Sequence, residues 1–249
     1  MEAFSLGLIL LSTCFQGAVN DAAKGHLVPG DKKVGHNHTL VATVFGKPLY
    51  LEEMTPAQAE AKSQEFSQAE FQVWLRTFRG ARTYDNICAA VTRKYIEREK
   101  LGVTKEEFAA VAASVERQFK SATDPPEGNS LSPEERKGIM IAWQRASLQD
   151  WKLTKSLYEK YGGRVGMGSL GAWVAFDAQN ALLQEHYKAG DIKFHHAEME
   201  KAFWEQTRKK NFADTYPTGK RLKWLLATPP HMWDQAGSNS AEKAKTDGK

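Results

Sequence analysis

Residues 91–119, VTRKYIEREKLGVTKEEFAAVAASVERQF, decide the fold. Phe108, Val111, Val115 and Phe119 recur in steps of three and four, as do Tyr84, Ile87, Val91 and Tyr95 just upstream. Each run therefore lines one face of an amphipathic helix. Gly102-Val103-Thr104 interrupts the period, and Thr104-Lys105-Glu106-Glu107 restarts it as a capping box. The Thr104 hydroxyl accepts a backbone N–H that has no partner inside the helix, and Glu107 reaches back to the Thr104 N–H. Two helices joined by a short turn are predicted.

Working outward, Thr55-Pro56-Ala57-Gln58 and Ser132-Pro133-Glu134-Glu135 read as two further capping boxes. In both, Pro takes the first helical position, where its missing donor costs nothing. Phe71, Trp74 and Phe78 form another stripe, and the helix opened by Ser132 carries Leu153, Leu157 and Tyr161 to a left-handed stop at Gly162-Gly163. Trp173, Phe176, Leu183 and Tyr187 outline a helix closed by Gly190, and Phe194 to Phe212 a further one. Ahead of all these, Thr39 to Phe45 is rich in β-branched residues, Gly46-Lys47 is a turn signal, and Pro48-Leu49-Tyr50 returns as a second strand. The expected fold class is mainly α, a short N-terminal β-hairpin followed by a multi-helix bundle. Thr123 to Leu131, with Pro125-Pro126, Gly128 and Asn129, is expected to separate residues 39–122 from 131–233.

The ends read differently. Phe4 to Phe15 is an apolar run of signal-peptide length, too short to span a bilayer, followed by Gly17, Ala18, Ala22 and Ala23. Residues 1–22 are read as a signal peptide and 23–38 as a linker. The protein is then periplasmic or otherwise exported, with no membrane span left after processing. Leu11-Ser12-Thr13-Cys14 resembles a lipobox, which makes a lipoprotein anchored through Cys14 the alternative. Residues 234–249 are polar and small and are expected to be disordered.

Composition removes several function classes. Lys and Arg number 34 against 30 Asp and Glu, with no concentrated basic footprint, so no nucleic-acid partner is expected. Two cysteines build neither a disulfide scaffold nor a four-cysteine zinc site, and Cys88 reads as a small buried hydrophobe. His36 and His38 lack partners at a ligand spacing, and His195-His196, adjacent on a helix, diverge by about 100°, so no metal site is predicted. No nucleophile elbow, zinc-protease pair or phosphate loop is present. Glu97, Glu106, Glu107, Glu134 and Glu135 fall on charged faces or in caps. Neither a catalytic residue nor a cofactor is expected. Seven Trp are many for 249 residues, and those not needed by the core can line an apolar groove for another polypeptide.

Val41-Ala42-Thr43-Val44-Phe45-Gly46-Lys47-Pro48-Leu49, followed by the paired helices of 91–119, resembles the start of SurA-type periplasmic chaperones. Their opening strand reads roughly V-A-x-V-N-G-x-P-I; here Phe45 replaces the Asn. The resemblance implies a helical cradle, completed by a returning C-terminal segment, that holds unfolded or partly folded envelope polypeptides without ATP during outer-membrane biogenesis. Aromatic spacing nominates Trp74, Phe78 and Trp173 as the polypeptide contacts. Two other readings stand beside this one. The first is a structural or envelope-assembly subunit with one dedicated partner. The second is a peptidyl-prolyl isomerase, because GSLGAW (168–173) and AGDI (189–192) echo parvulin elements. The strand that carries a parvulin's H-I-L is missing, so isomerase activity is not expected.

Overall fold

The β-branched run before Gly46 forms the strand that its composition predicts. A computed structural model describes residues 38–56, 67–121, 131–168, 173–208 and 217–233. In it β1 (Leu40–Val44) pairs antiparallel with β2 (Lys47–Tyr50). The turn between them is Phe45-Gly46, one residue earlier than expected, with φ of 50° and 78°. Tight hairpins need left-handed backbone at both central positions, and for Phe45 this costs about 1–2 kcal/mol. Two contacts offset that cost. The Phe45 N–H donates to the Asp191 carbonyl at 2.8 Å, and its ring meets His186 edge-on with centroids 5.1 Å apart. Both partners precede β5 (Ile192–Phe194), Asp191 directly, and β5 pairs antiparallel with β1 to give the order β2-β1-β5. Pro48 sits on the edge strand, where its lack of an N–H is tolerated.

The rest is mainly helical: α1 (Gln68–Arg98), α2 (Lys105–Ser121), α3 (Pro133–Tyr161), α4 (Phe176–Lys188), α5 (Ala197–Arg208) and α6 (Gly219–Ala227). A second antiparallel strand pair, β3 (Val165–Met167) and β4 (Trp173–Ala175), precedes α4. The chain divides into two compact units, Met1–Tyr95 with Gln179–Phe212 and Ile96–Ala178 with Ala213–Lys249. Each is assembled from separated stretches instead of the two consecutive halves that the sequence predicts.

In the first unit α1, α4 and α5 pack with the three-stranded sheet around Val41, Val44, Phe78, Ile87, Leu182 and Phe203. Gly80 lets α1 approach α5, since a Cβ there would stand 3.0 Å from that of Ala202. Phe203 is the centre of an aromatic cluster with Tyr84, Phe194 and Trp204. Gln179 Nε2 donates to Cys88 Sγ at 2.7 Å, and Cys88 is buried. At the C-terminus of α4, Gly190 (φ 79°) closes the helix as predicted; the Asp191 N–H returns to the His186 carbonyl, and His186 Nδ1 lies 2.8 Å from the Asp191 carboxylate.

The second unit is built on α3. Gln149 and Lys152 donate to the carbonyls of Leu101 and Gly102 just before α2, Thr154 Oγ1 to that of Trp173 on β4, and Trp151 Nε1 to that of Leu225 on α6. Leu148, Leu153, Leu157, Val111, Val115 and Val174 fill the space between. The boxes at Thr104 and Ser132 form as predicted, each with both reciprocal bonds.

Two expectations, the helices starting at Phe194 and Trp173, are corrected, and others fall on residues that are not described. Thr55 ends a 3-10 turn (Leu51–Met54), and its hydroxyl donates back to the Leu51 carbonyl; Ala57 and Gln58 lie outside the described residues. The box that opens α1 is Ser67-Gln68-Ala69-Glu70, whose Ser67 hydroxyl and N–H both donate to Glu70. Phe194 ends a strand and does not start a helix, because the β1 edge captures Ile192–Phe194 and the helix waits until Ala197. Trp173 is likewise in a strand; its spacing to Phe176 fits a helix, but the β-branched Val174 and the paired Val165–Met167 decide otherwise. The proposed signal peptide, Cys14, the linker up to Asn37, the 122–130 segment and the 234–249 tail lie outside the described residues.

Candidate polypeptide-binding surface

Of the three aromatic residues nominated from sequence, Trp74 and Phe78 belong to the first unit and Trp173 to the second. Trp74 is half-buried on α1, in a row with Phe71 (5.7 Å between centroids) and Phe78 (5.4 Å). Phe78 is only 2% exposed, with the Arg82 guanidinium 5.3 Å from its ring centroid. It is a core residue, and a covered ring cannot contact a client. Trp173, in the other unit, is half-buried. The Phe78→Ala variant is expected to lose about 3–5 kcal/mol of stability, read as a lower urea midpoint. A neutral substitution would return Phe78 to the surface.

A better surface lies on α3. Ile139, Trp143, Ala146, Asp150, Leu153 and Leu157 follow one another in alternating steps of four and three. At 3.6 residues per turn they fall within an arc of about 80°, one continuous stripe along the helix. Its C-terminal half is covered, Leu153 and Leu157 being buried against the second unit's core. Its N-terminal half is not, for Ile139 is 55% and Trp143 60% exposed. The same apolar face thus runs off the end of its own core.

Asp150 stands where the covered and uncovered halves meet. It is the one charged residue among those six positions, and burial pushes its carboxyl up to about 7. On the side of α3 opposite the stripe, α2 is fastened by Lys137 with Glu116 and by Gln144 with Gln118. Phe108 of α2 remains exposed, with the Arg145 guanidinium 5.6 Å from its ring centroid.

Core periodicity marks Leu153 and Leu157 but not Ile139 and Trp143. The signal that reaches them is the 4-3-4-3-4 spacing, which extends the core stripe toward the N-terminus of α3. What such a face does is desolvation chemistry. Covering the exposed part of one Ile and one Trp gains about 1–2 kcal/mol each, enough for reversible contact and too little for a permanent one.

Elsewhere, His195 Nε2 lies 2.9 Å from Thr43 Oγ1 and His38 Nδ1 3.6 Å from Glu52. No group of three or more His, Cys, Asp or Glu among the described residues could hold a metal ion. No helix among the described residues is long and apolar enough to cross a membrane. Comparison with protein-family models, curated proteins and solved structures found no match to this chain.

Proposed function

We propose that the chain is an exported, ATP-independent holding chaperone of the SurA type, covering apolar segments of unfolded or partly folded envelope polypeptides. One observation carries the proposal: Ile139 and Trp143 continue a stripe that is buried further along α3, yet stay more than half exposed. Exposed large apolar side chains in register with a core mark a surface that something else covers. A stripe at steps of four and three accepts the apolar face of any amphipathic segment and reads little of its sequence, which suits a holder of many clients. The return of Gln179–Phe212 to the unit that begins with the hairpin also supports a SurA-like cradle, because that family completes its N-terminal body with a later segment.

Holding requires no nucleophile, metal or nucleotide, only reversible desolvation. The test is light scattering from a denatured outer-membrane protein diluted into buffer with the purified chain and no nucleotide, with prolyl-isomerisation kinetics run on the same sample. Suppression without isomerisation is the expected result. Absence of suppression across unrelated clients would overturn the general chaperone in favour of a subunit with one dedicated partner. Fast isomerisation would favour the parvulin reading.

A further inference from the structure

The last described segment carries a second surface of different chemistry. α6 reads Gly219-Lys220-Arg221-Leu222-Lys223-Trp224-Leu225-Leu226-Ala227, and Pro229-Pro230 leads into a 3-10 turn (Pro230–Met232) and Trp233. One side of this segment is fixed. Leu225 is buried, its carbonyl accepts the Trp151 indole N–H at 2.8 Å, and the His231 carbonyl accepts the Ser114 hydroxyl at 3.1 Å.

The opposite side faces water. Lys220, Lys223, Trp224 and Ala227 are all exposed and follow at i, i+3, i+4 and i+7, with Arg221 exposed at their margin. Trp224 is 41% and Met232 43% exposed. Trp233 lies 6.2 Å from Trp224 between centroids and ties its indole N–H to the Thr228 carbonyl, which presents the ring with its polar end already satisfied. Residues 217–233 contain three Lys or Arg and no Asp or Glu, and none of the three is in an ion pair among the described residues.

We infer that this face docks on an anionic lipid surface. Three cations with no ion-pair partner among the described residues attract an anionic counterpart, and phosphate headgroups supply it as a plane that flexible Lys and Arg side chains can all reach. Two neighbouring tryptophans, one of them exposed, and an exposed methionine suit the boundary between headgroups and acyl chains, where amphipathic rings settle. The short helix lies along the membrane without crossing it. The face stands apart from client holding, because its residues are not those of the α3 stripe.

The experiment is co-sedimentation of the full chain with phosphatidylglycerol–phosphatidylcholine vesicles and with phosphatidylcholine vesicles alone. Binding is expected only to the anionic vesicles and is expected to weaken with salt. K220Q/K223Q should bind roughly 30-fold more weakly, at about 1 kcal/mol for each cation near such a surface. Trp224→Ala should weaken binding at unchanged charge. The control K47Q/K201Q removes the same charge from exposed sites on the first unit and should bind like the unaltered chain. Circular dichroism establishes that each variant is folded. Equal loss in both double variants would reduce the effect to net charge and overturn the assignment, as would equal binding to neutral vesicles. Retention of polyglutamate without retention of vesicles would reassign the face to an acidic polypeptide. The I139S/W143A variant should bind vesicles normally, so failure of the chaperone reading and failure of this one are separable.

Discussion

Replacing Asp150 by Asn should stabilise the protein by about 2–4 kcal/mol at pH 8 and leave it unchanged at pH 3, since each tenfold displacement of a protonation equilibrium is worth about 1.36 kcal/mol. Asp150 lies on the core-facing stripe of α3, and burial raises its carboxyl from 3.8 to about 7. Below pH 4 the carboxyl is protonated whether the chain is folded or not, and it costs nothing. Between about pH 4 and 7 the folded chain keeps the proton that the unfolded chain has released. The unfolded state then binds fewer protons, so stability falls as pH rises through that window. Above pH 7 both states are ionised and the full cost persists. Asn keeps the shape and removes the charge, so its stability curve should be flatter and should separate from that of the parent chain between pH 4 and 7. Urea midpoints measured at pH 3, 5.5 and 8 check this. A variant less stable at pH 8 would mean that the carboxylate is held by partners in its ionised form.

The second large effect is expected at the joint after α3. Gly162 and Gly163 both have left-handed φ, 68° and 90°. Beyond them the Asp177 carboxylate accepts the Arg164 N–H and Nε at 2.8 Å each and Nη2 at 2.7 Å, and these side-chain bonds hold its pKa below the usual range. The three bonds tie the chain leaving α3 to the first turn of α4. A Cβ on Gly163 would stand 2.5 Å from the Asp177 Cβ, whereas a Cβ on Gly162 would meet nothing within 4 Å. Gly163→Ala therefore adds a collision to the strain of a left-handed backbone and should cost about 3 kcal/mol or more. Gly162→Ala meets no neighbour but must hold φ 68° and ψ −151°, a backbone region that essentially only Gly adopts, and bears that strain alone, about 1–3 kcal/mol. In calorimetry the first should lower Tm by about 6–12 °C or more and the second by less, because it lacks the collision. Equal losses would show that the joint yields, and that Asp177 is not fixed where its bonds to Arg164 place it.

Much of the fold was legible because it rests on local chemistry. A hydroxyl followed three residues later by Glu opened α2 and α3 as predicted, and the same pattern at Ser67 opens α1. Thr55 carried a similar pattern; its hydroxyl donates to the Leu51 carbonyl behind it, and Ala57 and Gln58, which would complete the box, lie outside the described residues. The hairpin was legible from its β-branched residues, while its turn slipped by one residue because Phe45 has no local preference for φ > 0. It is held there by Asp191 and His186, far along the chain. β5 escaped for the same reason. Three residues cannot display alternation, and Ile192–Phe194 is a strand only because β1 offers an edge. The two interleaved units are likewise long-range facts that no window along the chain contains.

The candidate surface was half legible. Aromatic spacing found Phe78 and Trp74 but could not tell a stripe that packs from one that does not. Phe78 faces α1's own core and Trp143 faces water, although both sit at helical spacing among apolar neighbours. Only the end of the covering elements along α3 separates them.

The most direct test compares aggregation of a denatured outer-membrane protein in the presence of the full chain and of I139S/W143A, without nucleotide. Both substituted side chains are more than half exposed, so the variant should keep its Tm within about 2 °C. If these residues hold clients, the full chain suppresses scattering and the variant at the same concentration loses most of that suppression. A variant that suppresses aggregation as well as the parent chain, with the same Tm, would contradict the assignment of client binding to the uncovered half of α3.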